Sequence, residues 1–181
     1  TQLYESQVAQ YEPIYTKDIN DVDEYCTKRI QQGYCGAWFN GITRTKVDAV
    51  DCESIDGLSA LHPNWQIVVE ADGAKEKWLK APKHTEPVIP SQTKTTIGVV
   101  NLQMLGASLD EDHVHNLELV QSIVHREEGA IVTPHMLAQI VLHRQGLFQY
   151  SKGEKILFCT CYDTVQHRII DDFISHVVDS D

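Results

Sequence analysis

The sequence predicts an α/β fold, a three-layer and mostly parallel sheet with helices on both faces. Three observations predict it. Strand-like and helix-like patterns alternate along the chain, which calls for crossover connections. A compact apolar run at Trp65–Gly73 ends in carboxylates and a glycine, the pattern of a strand covered on both faces. No internal repeat, low-complexity tract or linker interrupts the chain, so residues 1–181 read as one domain.

The elements follow in order. Asp18–Gln32 sets Ile19, Val22, Cys26 and Ile30 at helical spacing behind capping residues, and Gly33 stops it. Cys35–Ile42 is aromatic and β-favouring and reads as a strand, broken at Thr43-Arg44-Thr45-Lys46. Val50–Leu61 is a short helix with Gly57 inside it, leading into the Trp65–Gly73 strand. Pro82, Pro87 and Pro90 make Ala74–Gln92 a long loop, and long ordered loops in compact domains are usually functional. Thr95–Asn101 is a strand and Asp110–Val124 a helix. Thr133-Pro134 supplies an N-cap and a first-turn proline for a helix to about His143. Lys155–Cys159 is the fourth strand and Thr164–Val178 the closing helix.

Composition narrows the functional classes. With 42% hydrophobic and 23% charged residues the 181-residue chain is of the soluble globular kind, and its apolar runs are too short to span a bilayer. A net charge of −11 repels phosphodiester backbones and anionic lipid, so neither nucleic acid nor membrane is an expected partner. Five cysteines without a CxxC pair, and no signal-peptide pattern, point to free thiols in a reducing cytoplasm. Cys159 and Cys161, at the end of the fourth strand, read as buried core residues.

Residues 68–75 (VVEADGAK), 79–82 (LKAP) and 84–90 (HTEPVIP) carry a resemblance. Residues 97–100 (IGVV), 112–115 (DHVH), 117–120 (LELV), 132–138 (VTPHMLA) and 143–147 (HRQGL) extend it in fixed order. Together they closely resemble the YqeC family of selenium-cofactor accessory proteins. The resemblance implies a P-loop-type α/β fold and a role in maturing selenium-dependent molybdenum hydroxylases. It also implies Mg2+ with ATP or GTP as cofactor, and a molybdenum hydroxylase or cofactor-maturation protein as partner. No GxxxxGK[ST] occurs in the chain, because Gly33-Tyr34-Cys35-Gly36 lacks the lysine and Thr93-Lys94-Thr95-Thr96 lacks the glycines. Thr1-Gln2-Leu3 resembles the end of the family's second strand, so the first strand, phosphate loop and first helix are expected to precede residue 1. A sheet short of its central strand exposes edges, which predicts either aggregation or strand donation from a second chain in a homo-oligomer.

The candidate site follows from these segments. Glu70 and Asp72, two apart at a strand end, leave one face together and suit magnesium as catalytic and metal-binding carboxylates. The plain alternative is a solvated strand end or a turn cap at Gly73. Lys75 and Lys80 flank the loop as point charges for phosphate, whereas Lys77 and Lys83 read as solvated. Prolines around His84 and Glu86 hold the backbone extended, which would present both on one side. Gly73, Lys75, Lys80, His84, Glu86 and His115 form the expected cofactor-binding set, while the acidic run before His113 and His115 reads better as a helix N-terminus than as a metal site. Asn116 stands where the family shows a basic residue. Thr160-Cys161-Tyr162-Asp163 keeps only the Asp of a base-recognition segment. Two functions follow: a nucleotide-dependent accessory protein, or a non-hydrolysing partner- or cofactor-binding module.

Overall fold

The computed structural model describes residues 3–179, and Thr1 and Gln2, expected at a strand end, lie outside them. The protein is mixed α/β, and its contacts separate two compact units. One runs to Val69 and takes in Pro90–Gln92, and the other comprises Glu70–Ile89 and the chain from Thr93.

In the first unit α1 is Glu5–Val8, β1 Ile14–Tyr15 and α2 Ile19–Gln31. The strands β2 (Trp38–Phe39), β3 (Gly41–Thr43) and β4 (Lys46–Asp48) precede α3 (Cys52–Leu61). The expected cap holds: Asp18 accepts the N–H of Asn20 at 2.9 Å, and Asp51 does the same for Ser54 ahead of α3. The polar break at 43–46 is the turn of the β3–β4 antiparallel hairpin. Between α2 and α3 lie buried Val22, Cys26 and Leu58, with Trp38, Trp65 and Ile67 packed against them. His62 stacks on Trp65 at 3.7 Å while its Nε2 meets Asp23 at 2.8 Å, which ties the end of α3 to α2.

The Trp65–Gly73 strand is not formed. Trp65 and Ile67 are drawn into the α2–α3 core, and Val68 is left 93% exposed. A strand is defined by a neighbour that takes its N–H and C=O groups, and no described segment pairs with this one. The residues are β-favouring, but a lone bond from Val88 N–H to Ala71 O at 3.1 Å does not make a ladder.

The second unit contains β5 (Leu79–Lys80), β6 (Thr95–Asn101), β7 (Val114–His115), α4 (Leu117–Val124), α5 (Pro134–Leu142), β8 (Glu154–Thr160) and α6 (His167–Val178). Instead of one continuous sheet, the described residues form two-stranded pairs: β1–β2, β5–β7 and β6–β8 parallel, β3–β4 antiparallel. The long pair, β6–β8, matches Ile97 with Ile156 and Val99 with Phe158. Its other face turns inward: Val100, Leu157 and Cys159 join a core of Leu102, Leu137, Ile140, Ile170 and Phe173. A Cβ on Gly98 would lie 2.7 Å from Leu147 and 2.8 Å from Phe148, so glycine is what lets that segment close on the strand. Ile97, Val99, Ile156 and Phe158 are exposed. Helices therefore cover one face of this pair, not both.

The helix expected from Asp110 starts only at Leu117. The Asp110 carboxylate accepts the N–H groups of Asp112 and His113, residues 114–115 pair with β5, and Asn116 is left-handed at φ 60°. Asparagine tolerates that conformation, which no helix interior accepts. Thr133 caps α5 through the N–H of Met136, as its sequence requires. Before α6, a 3-10 turn at Tyr162–Thr164 follows Cys161, which is left-handed and therefore outside β8.

Candidate functional site

The site lies in the second unit and is built on the β5–β7 pair. That pair sets Lys80 opposite His115. Lys80 is 8% exposed at its side chain, and its ammonium donates to Asp72 Oδ1, to the Gly73 carbonyl at 3.0 Å and to Glu86 Oε2 at 2.6 Å. Three donors meet three acceptors, so Lys80 is saturated. Asp72 Oδ1 also accepts the N–H of Gly73 at 2.8 Å, while Oδ2 makes no hydrogen bond among the described residues.

Glu86 reaches Lys80 through a turn rather than an extended segment. Its N–H donates to the Lys83 carbonyl at 2.9 Å and its carboxylate accepts the Lys83 N–H at 3.3 Å. This corrects the expectation that His84 and Glu86 share one side: Glu86 points inward and His84 is exposed. Glu70 is exposed and has no ion pair among the described residues, and without a strand beneath it no common face aligns it with Asp72. The structure thus joins Asp72, Gly73, Lys80 and Glu86 directly, places His115 beside them, and leaves Glu70 and His84 at the margin.

Other residues hold this arrangement. Buried Gln149 donates from Nε2 to the carbonyls of Lys83 at 2.7 Å and Glu86 at 2.6 Å. The Tyr150 hydroxyl donates to His84 O, Lys152 Nζ to Ile89 O, and Asn116 Nδ2 to Ala81 O. Asn116 thereby has a structural reason of its own. Nothing in the local pattern around Gln149 marks it, because its partners are 63 and 66 residues away.

Burial raises the Glu86 carboxyl, but the Lys80 and Lys83 hydrogen bonds and charges outweigh it and hold the group below the ordinary carboxylate range. His115 is pushed below 6.5 by burial and by the charges of Lys75 and Lys80. Both groups bind protons less readily folded than unfolded, so the stability they contribute is present above the unfolded values and lost as pH falls. Urea unfolding midpoints are expected to decline first below about pH 6.5, through His115, and again below about pH 4.3, through Glu86. His115→Gln should flatten the upper limb and Glu86→Gln the lower.

Among the described residues no three His, Cys, Asp or Glu side chains gather to hold a metal ion. Glu70 and Asp72 Oδ2 fit magnesium only as carried on phosphates, where one or two carboxylates suffice and the ion keeps several waters.

The profile described as YqeC protein matches residues 1–118. The chain belongs to the YqeC protein family. A relative from Escherichia coli strain K12, described as uncharacterized protein YqeC, is 33% identical over 104 residues. That segment is 58% of this chain and 41% of the relative, so the chain spans about two fifths of the YqeC protein it matches. No solved structure matches. The Asp72–Lys80–Glu86 cluster and His115 fall inside the YqeC span, whereas Gln149, Tyr150 and Lys152 fall beyond it.

Proposed function

We propose that this chain is part of a nucleotide-dependent accessory protein for maturing selenium-dependent molybdenum hydroxylases, with residues 70–86 and His115 as its phosphate-facing site. The observation that carries the reading is the Asp72–Lys80–Glu86 cluster, which orders an acidic and basic loop within the YqeC span. The P-loop relationship suggested by the sequence is part of the proposal, with a cytoplasmic setting and a hydroxylase or cofactor-maturation protein as partner. No helix among the described residues is long and apolar enough to cross a membrane.

The cofactor in this reading is ATP or GTP with Mg2+, which when bound neutralises charge developing on the transferred phosphoryl group. The residues of the chain orient. Lys80 fixes the Asp72 carboxylate through Oδ1, and in this reading Oδ2 and the exposed Glu70 would supply the oxygens for the ion. A second reading, a non-hydrolysing binding module, is favoured by one observation: all three ammonium donors of Lys80 are engaged within the protein.

Calorimetric titration with Mg-ATP and Mg-GTP separates the two. Binding of either, weakened about tenfold by Glu70→Gln at unchanged unfolding midpoint, is the expected result. Glu70 is the residue to change, because Asp72 is tied to Lys80 and its loss would disturb the loop. Absence of binding up to millimolar nucleotide would overturn the first reading and leave the second.

A further inference from the structure

The chain has three tryptophans, and two are absorbed by packing: Trp38 donates its indole N–H to Thr16 O at 2.9 Å, and Trp65 stacks on His62. Trp78 is different. It lies beside the candidate site with 39% of its surface exposed, and its indole N–H makes no hydrogen bond among the described residues. Folding normally covers most of a ring that size and gives its N–H a partner.

The exposure is not looseness. Trp78 N–H donates to His113 O at 2.9 Å, and the two rings meet at 4.7 Å between centroids with a 58° tilt. His113 is held in turn, since its Nδ1 lies 2.7 Å from Asp110 Oδ1, the oxygen that also accepts the N–H groups of Asp112 and His113. An ionised carboxylate only accepts, so Nδ1 carries the proton and turning the imidazole would break that bond. The Lys77 ammonium ties the same turn through Asp112 O at 3.1 Å. One flank of the indole is thus fixed while much of the ring stays open, which is the form of a preorganised binding surface.

The place of Trp78 beside the charged cluster indicates the ligand. In the β5–β7 pair, Leu79 and Val114 face each other and are buried, bracketed by Trp78 and Lys80 in one segment and by His113 and His115 in the other. Trp78 and Lys80 are two residues apart, so their Cα atoms are separated by at most about 7 Å. A molecule with phosphate at the cluster and a flat ring on Trp78 needs only a sugar-sized spacer between them.

We propose that Trp78, with His113 as its fixed flank, is the stacking platform for the purine base of a nucleotide whose phosphates lie at the Asp72–Lys80–Glu86 cluster. Two fused rings lie over two fused rings, which gives a purine more overlap with the indole than a single ring has. The inference rests on the phosphate-facing reading above and deepens it by adding the base contact. Stacking tolerates either purine, so Trp78 supplies affinity without choosing between ATP and GTP.

The test is calorimetric titration of the full chain with Mg-ATP, Mg-GTP and Mg-tripolyphosphate, which has phosphates and no base, and with adenosine and guanosine, which have a base and no phosphate. The nucleotides should bind about tenfold more tightly than tripolyphosphate. Trp78→Ala should abolish that excess and leave tripolyphosphate binding unchanged, whereas Trp78→Phe, which keeps an aromatic ring, should retain most of it. Nucleotide should also quench more tryptophan fluorescence in wild type than in Trp78→Phe, since only wild type has an indole under the base. Equal binding of nucleotide and tripolyphosphate in wild type, or a Trp78→Ala protein that keeps the excess, would overturn the platform and leave the phosphate-facing reading standing. Adenosine or guanosine quenching Trp78, with no binding of tripolyphosphate, would keep the platform and overturn the phosphate-facing reading. Silence from all of these ligands would overturn both.

Discussion

Lys80→Met is expected to lower the free energy of unfolding by about 3 kcal/mol at pH 7, with urea unfolding as the check. The ammonium is nearly buried and is the shared partner of two carboxylates. Methionine fills much the same volume, so packing is largely kept and the loss is electrostatic: Asp72 and Glu86 face each other without the cation between them, and breaking such a pair costs about 3–5 kcal/mol when fully buried. The lower end applies because both carboxylates retain some solvent. Two controls identify the cause. Adding Asp72→Asn and Glu86→Gln to Lys80→Met should recover most of the loss, since no uncompensated charge remains. Lowering the pH toward about 4 should narrow the gap between wild type and Lys80→Met as the carboxylates protonate. A Lys80→Met protein within about 1 kcal/mol of wild type would mean that the ammonium is replaceable by water, and the loop order assigned to it would need another source.

The balance between what was legible in the sequence and what was not follows from how local each signal is. Asp18 before α2, Thr133-Pro134 before α5 and the apolar run of β6 are decided within a few residues, and the structure places all three as expected. Trp65–Gly73 has the composition of a strand but depends on a pairing partner, and its two largest side chains find a helix core instead. Asp110 sits in an acidic stretch that reads as the start of a helix, yet its carboxylate captures two backbone N–H groups first and delays α4 by seven residues. Within the site, sequence reasoning selects Asp72, Lys80 and Glu86 by residue type. It does not show that Lys80 is turned inward to neutralise them while Lys83 stays outside, because that distribution depends on the turn at Lys83–Glu86 and on the β5–β7 register. The same register puts His115 beside Lys80 across 35 residues of chain. No window of sequence contains both.

Gln149 is the residue whose removal should be felt most sharply at a distance. It is the buried polar side chain of the second unit, and one amide nitrogen holds the carbonyls of Lys83 and Glu86 together. Gln149→Leu is expected to cost about 2–3 kcal/mol, since both hydrogen bonds are lost and the carbonyls of Lys83 and Glu86 lose a buried donor. Tyr150→Phe, which deletes the exposed hydroxyl bond to His84 O, should cost under about 1 kcal/mol. The two substitutions differ in kind as well as size. Gln149 acts on the turn that aims Glu86 at Lys80, so hydrogen exchange should show the N–H of Glu86, bonded to Lys83 O, and of Val88, bonded to Ala71 O, losing protection beyond the global loss. Core amides such as those of α5 should fall only by the global amount. A uniform loss across the unit would make Gln149 an ordinary packing residue. A loss concentrated at 83–88 makes it the clamp that keeps the Glu86 carboxylate on Lys80, and through Lys80 keeps Asp72 in place.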